Sequence, residues 1–369
     1  MSFISADHQA NKTIDHHAQE RTNLADVKFY DLRSRDNNMS DYDSHNREEL
    51  DNIGSKDAVF GPIDFEESPF SNAVIDQPVS NKIELLDWAK EILSSSPSAR
   101  TMLSEAKSQG WNISIEAMEG HDFHIDVPSK KIELSDQGLD IGALCRSIYF
   151  KNSLLVSLIR ALRDVWQEKR YGGFEHDYAC ENVLMLERIR AADLDILTVL
   201  VGWELRAEGR GALWRHLIGS EDGDLAMRFS GYLERDPSSL FNGKALAAAF
   251  TQWFRAERRI KACDHETLNY LDALIYDQDF ENLFGHKKLT PISVERLSCL
   301  PDRTAYLQGY GSEIITDPLY AGLNDPINQA HYMQVLYDLK VTRVQDVPFR
   351  DAVLAEKIFP GGEFTSEER

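Results

Sequence analysis

Two long runs between about residues 141 and 208 place apolar side chains every three to four positions, and this commits most of the chain to a helical core. The first starts at Ile141 or Leu144 and reaches Lys169, with a break expected near Tyr149–Asn152; the second runs from about Tyr178 to Glu208. In the first, Leu155, Leu158, Ile159, Leu162, Val165 and Trp166 form one stripe at i, i+3, i+4, i+7 spacing. Arg160, Arg163, Asp164 and Gln167 then share the polar face, as on an ordinary surface helix. On such a face Arg160 and Asp164, one helical turn apart, form an i,i+4 pair worth ~0.3 kcal/mol.

Upstream the period changes. Ile83, Leu85, Leu86, Ala89 and Ile92 keep helical spacing until the Ser94–Pro97 breaker, and a short helix over Ala99–Gln109 stops at Gly110. Trp111, Ile113 and Ile115 then alternate with polar residues, as do Phe123, Ile125 and Val127, with Gly120 between them; Lys131–Leu134 follows the Pro128–Ser129 turn. These three strands predict a small meander. Downstream, helices are expected near Asp222–Glu234, Gly243–Lys261 and Asp264–Tyr276, the last capped by Asp264. Asn282–Asp317 has few periodic runs, and a final helix near Pro326–Leu339 follows Asn324-Asp325-Pro326, a cap with proline at the first helical position. The fold class is α+β, mostly helical with a small N-terminal sheet. Residues 1–80, rich in Asp, Asn, Ser and His, read as a disordered acidic arm; 81–280 as the ordered domain; 281–369 as a C-terminal extension with one or two helices.

A chain of 369 residues can bury a sizeable core. Its formal net charge of −21 opposes binding to a phosphate backbone, so nucleic acid is excluded as a partner class. The apolar stretch Ile196–Trp203 is too short to span a bilayer, and no basic-then-apolar leader opens the sequence. Cys145, Cys180, Cys263 and Cys299 are scattered without a CxxC pair, which suits reduced thiols in the cytoplasm.

The segment Leu154–Gln167 (LLVSLIRALRDVWQ), following helices and a small sheet and preceding a second long helix, resembles the active-site helix of a bacterial family of zincin-like metallopeptidases. Members of that family carry a motif of the form HELRHxWQ, and the same frame here reads Arg160-Ala161-Leu162-Arg163-Asp164-Val165-Trp166-Gln167. The resemblance runs over roughly residues 80–280 and implies a zincin-like domain whose sheet packs on the motif helix. In such a motif two His four residues apart bind one zinc, and the Glu between them acts as general base. Here Arg160, Ala161 and Asp164 hold those positions. Arginine has no lone pair for a metal, and alanine cannot move a proton. The third-ligand position, expected in a Glu-Ala-Asp run, falls at Ala191-Ala192-Asp193. The resemblance therefore implies a scaffold that has lost its catalytic residues, with no cofactor.

Other constellations compete with this frame. His176 and Cys180, four apart and flanked by acids, would share a face if the second long helix began near Glu175. With Asp164 and Asp193 they are the remaining metal candidates, though an acidic first turn and a buried thiol account for them more simply. His121 and His124 suit a turn and a solvent face, and His216 and His265 suit packing or capping. The pair His16–His17 has no partners nearby in sequence. Asp222-Gly223-Asp224 lacks the alternating ligands of a calcium loop and reads as a turn and N-cap, while Gly361-Gly362-Glu363-Phe364 lies too near the end to belong to a cyclase domain. Phe250, Trp253 and Phe254 suit a core face, with Arg255, Arg258, Arg259 and Lys261 as its basic edge. Three functions follow: an inactive zincin-like protein that binds or regulates a protein partner, an active zinc enzyme with atypical ligands, or a scaffold without enzymatic ancestry.

Overall fold

The computed structural model describes residues 27–28, 79–118, 120–276 and 284–345. The expected acidic arm, His16–His17 and the Gly361–Phe364 segment thus lie outside the described residues, apart from a two-residue strand, β1 (Val27–Lys28).

The first ordered helices follow their caps. Asn81 accepts the Glu84 backbone N–H to open α1 (Lys82–Ser94), and Ser96 accepts that of Ala99 to open α2 (Pro97–Ser108). Ser98 Oγ donates to Glu204 Oε1 at 2.7 Å, so a carboxylate from a distant helix sits over the N-terminus of α2. Three strands come next: β2 (Asn112–Glu116), β3 (Phe123–Asp126) and β4 (Lys131–Ser135). They do not form a meander. The order is β1-β3-β4-β2, with β2 parallel to β4 and β3 antiparallel to β4. The reason is burial. Ile132 and Leu134 are fully buried, whereas β2 buries only Ile115, so the strand whose apolar side chains are most completely covered takes a position paired on both sides.

The long helical tract breaks at Ser147, two residues before the expected region. Ser147 closes α3 (Ile141–Arg146) and caps α4 (Ile148–Tyr171). β3 and β4 pack against α4. After α5 (Phe174–Asp177) the chain bridges to Lys287, and α6 (Cys180–Ala207) begins. The bridge brings backbones so close that a Cβ on Gly285 would lie 2.1 Å from the Asp177 carbonyl carbon, which leaves glycine as the residue that fits. α7 (Ala212–Ile218), α8 (Gly223–Arg235), α9 (Lys244–Arg255) and α10 (Glu257–Tyr276) follow. The helix expected over Gly243–Lys261 is two helices, broken at Ala256, whose backbone is extended. Asp264 lies inside α10, where it is buried, rather than capping it. The aperiodic stretch after residue 282 holds three short helices, α11 (Pro291–Leu297), α12 (Gly311–Thr316) and α13 (Pro318–Ala321). The last, α14 (Pro326–Gln345), packs on α10 and is opened by Asp325, whose carboxylate accepts the N–H groups of Ile327 and Asn328.

α6 is the hub. Every residue from 183 to 202 is buried, and the helix packs against α4, α7, α9, α10 and α11. α4 is likewise buried on all sides from 154 to 167.

Candidate functional site

The surface-helix expectation fails at the motif frame. Arg160, Arg163, Asp164 and Gln167 are all buried, because α6 covers the face of α4 that the periodicity assigns to solvent. Charges removed from water need opposite charges and hydrogen bonds close by. Here α6 supplies them. Arg160 Nη2 lies 2.7 Å from Asp195, and Arg163 Nε donates to Asp193 at 2.6 Å. Arg190 Nε donates to Asp164 at 2.8 Å, and its Nη2 reaches Glu168 at 3.1 Å. As numbers rise along α4 the partners fall along α6, the mark of two antiparallel helices held in one register.

Other elements close the network. Arg160 also pairs with Asp222, at the start of α8, at 2.9 Å. Asp222 holds the expected N-cap position of α8, but its side chain makes no capping bond; that carboxylate faces Arg160 and, at 3.6 Å, Arg259. A Cβ on Gly223 would meet the Ile218 carbonyl oxygen at 2.4 Å, so glycine is what lets α8 start close enough for Asp222 to reach inward. Asp195 accepts a second bond, from the Trp253 indole N–H at 2.9 Å, which fixes the aromatic layer of α9 (Phe250, Trp253, Phe254) on the network. Asp193 accepts from Gln167 and from the Tyr306 hydroxyl at 2.8 Å. Arg163 Nη2 donates to the Leu297 and Cys299 carbonyls at 3.3 and 3.0 Å. A parallel pair lies on the far side of α6: Arg188 grips Asp264 with Nε and Nη2 at 2.5 and 2.8 Å, while its Nη1 serves the carbonyls of Tyr320 and Gly322. Of the basic edge, Arg259 is buried and paired with Asp224, while Arg258 and Lys261 pair at the surface with Glu221 and Asp325.

The protonation states follow from these contacts. Burial works against the Arg163 charge, but Asp193 more than offsets it and holds the guanidinium above its ordinary value. Burial, then the adjacent Asp193, pushes the Tyr306 phenol well above its usual range, so it stays a donor. Burial raises the Asp264 carboxyl against the opposing pull of Arg188.

Of the expected site residues, the structure brings together Arg160, Ala161, Asp164 and Asp193 between α4 and α6. Ala161 is fully buried, and each carboxylate of the frame is already engaged by arginine. Cys180 is buried at the start of α6. His176 belongs to α5, separated from α6 by the Lys287 bridge, so the single helix that would have set it one turn from Cys180 does not exist. Among the described residues no group of three His, Cys, Asp or Glu is disposed to hold a metal. His216 packs edge-on against Tyr149, with ring centroids 5.0 Å apart.

Sequence reading missed Arg190, Asp195, Asp222, Arg188 and Tyr306 as participants. One signal was available: Arg188, Arg190, Asp193 and Asp195 lie inside an apolar run and point around the helix, which leaves it no single solvent face. Tyr306 carried none, since only the fold brings it to Asp193.

Residues 145–308 match the model of the family described as "Putative metallopeptidase family (DUF6782)". The matched stretch starts at the end of α3, after the sheet, and ends just beyond Tyr306, so it contains the ion pairs between α4 and α6 together with Asp222, Trp253 and Tyr306. No curated protein and no solved structure matches the chain. Among the described residues no helix is long and apolar enough to cross a membrane.

Proposed function

We propose that this chain is a catalytically inactive, zincin-like relative of the metallopeptidases, used to bind or regulate a protein partner. The observation that carries the reading is the state of the motif frame. Where the zinc chemistry needs two imidazoles and a carboxylate free to take a proton, the chain has Arg160 paired with Asp195 and Asp222, buried Ala161, and Asp164 held by Arg190. The donor set does not fit zinc: a guanidinium offers no lone pair, and Asp164 and Asp193 would have to leave buried arginines to reach a metal. The same charges serve as a register lock between α4 and α6, a structural use for positions that catalysis no longer constrains.

The net charge of −21 favours a protein partner over nucleic acid, and four cysteines joined by no disulfide fit the reducing cytoplasm. The test is elemental mass spectrometry of the purified untagged protein, prepared without chelators, together with a peptide-hydrolysis assay. No stoichiometric metal and no hydrolysis are expected, and Arg160→His should alter stability alone. About one zinc per chain, or hydrolysis abolished in a folded Asp164→Asn variant, would overturn the reading in favour of an active enzyme with atypical ligands.

A further inference from the structure

Two polar atoms at the heart of the α4–α6 network have no partner in the protein. Arg163 and Gln167 are both fully buried, yet Arg163 Nη1 meets no acceptor and Gln167 Oε1 meets no donor. They stand one helical turn apart on α4, and their head groups close on a single atom: Arg163 Nε and Gln167 Nε2 both donate to Asp193 Oδ2. Buried polar groups in folded proteins are nearly always paired, so an orphaned donor and an orphaned acceptor at one place call for a third party.

The side chains cannot satisfy these atoms by adjusting themselves. Turning the Gln167 amide over would set Oε1 against the Asp193 carboxylate, acceptor to acceptor, and would orphan the Nε2 donor instead. The Arg163 guanidinium is pinned at two corners, Nε by Asp193 at 2.6 Å and Nη2 by the Leu297 and Cys299 carbonyls at 3.3 and 3.0 Å. Because the group is planar and rigid, those two corners fix where Nη1 points. The Tyr306 hydroxyl proton is already committed to Asp193 Oδ1 at 2.8 Å.

Charge selects the ligand. Arg163 and Asp193 balance each other in direct contact, so a buried anion on Nη1 would need a further cation, and a cation would meet the guanidinium. A small neutral molecule that accepts one hydrogen bond and donates another meets both needs. We propose that ordered internal water, one molecule or a hydrogen-bonded pair, is bound in the α4–α6 lock, accepting from Arg163 Nη1 and donating to Gln167 Oε1. It lies beside the direct Arg163–Asp193 contact and completes the hydrogen bonding of the two α4 side chains that grip Asp193. This holds whether or not the chain hydrolyses peptides, because it rests on the geometry of the lock alone.

Two measurements test it on the full-length chain. A high-resolution crystal structure should show water density at about 2.7–3.2 Å from both Arg163 Nη1 and Gln167 Oε1. Magnetic relaxation dispersion of the solvent nuclei counts long-lived internal waters in solution. Gln167→Met keeps the side-chain length but leaves the water short of the two or more polar partners that a buried water takes, so the count should fall by about one. The wild-type crystal structure decides if that variant does not fold. Well-ordered Arg163 and Gln167 with no density at either atom would overturn the proposal. So would protein groups or an ion found in the place of water, or an unchanged count in a folded Gln167→Met variant.

Discussion

Arg163→Met tests the buried network most directly. The substitution keeps a long unbranched side chain but removes the cation 2.6 Å from Asp193 and the donor to the Leu297 and Cys299 carbonyls. Two unit charges about 4 Å apart at an effective dielectric near 20 attract by about 4 kcal/mol. Gln167 and Tyr306 still donate to Asp193 after the change, which moderates the loss, while the orphaned carbonyls add about 1 kcal/mol. The expected cost is about 3–5 kcal/mol, the range for a buried charge stripped of its partner. Followed by tryptophan fluorescence in urea, with a slope of about 3 kcal/mol/M, the unfolding midpoint should fall by about 1–1.7 M. Asp193→Asn keeps an acceptor for Tyr306 and removes the stranded charge. The double variant Arg163→Met/Asp193→Asn should therefore be less destabilised than the sum of the single changes, with a coupling of about 2 kcal/mol. A shift below about 1 kcal/mol for Arg163→Met would refute the reasoning, and strict additivity would too, since either result means water already screens this pair.

Three further outcomes are expected. Trp253→Phe removes the indole donor to Asp195 and should cost about 1.5–3 kcal/mol, measured by chemical denaturation. Gly223→Ala puts a methyl group against the Ile218 carbonyl and should lower stability by about 1–3 kcal/mol, read as a drop in Tm; an unchanged Tm would show that α8 has room to shift. Burial lowers the His216 pKa from its ordinary 6.5, so the folded protein resists protonating it while the unfolded chain does not. Its contribution is intact above pH 6.5 and is lost as pH falls through the depressed folded value, so His216→Gln should flatten the Tm profile on that acid limb.

Much of the architecture was legible in residue order. The two long helices, the three strands and the cap at Asp325 follow from period and local hydrogen bonding, which act within a few residues. Strand order was not, because the choice of centre depends on how much of Ile132 and Leu134 the helices cover, a property of the assembled layers. The site divides in the same way. Residue types alone establish that Arg160 and Ala161 lack the lone pair and the carboxylate of a zinc motif, since those are facts of side-chain chemistry. Where their polar face points is decided elsewhere. A helical period tells which residues share a face, but a polar face can meet water or a second charged helix with equal regularity. Only packing α4 against α6 turned Arg163, Asp164 and Arg190 inward, into ion pairs between residues some thirty positions apart that no local pattern links.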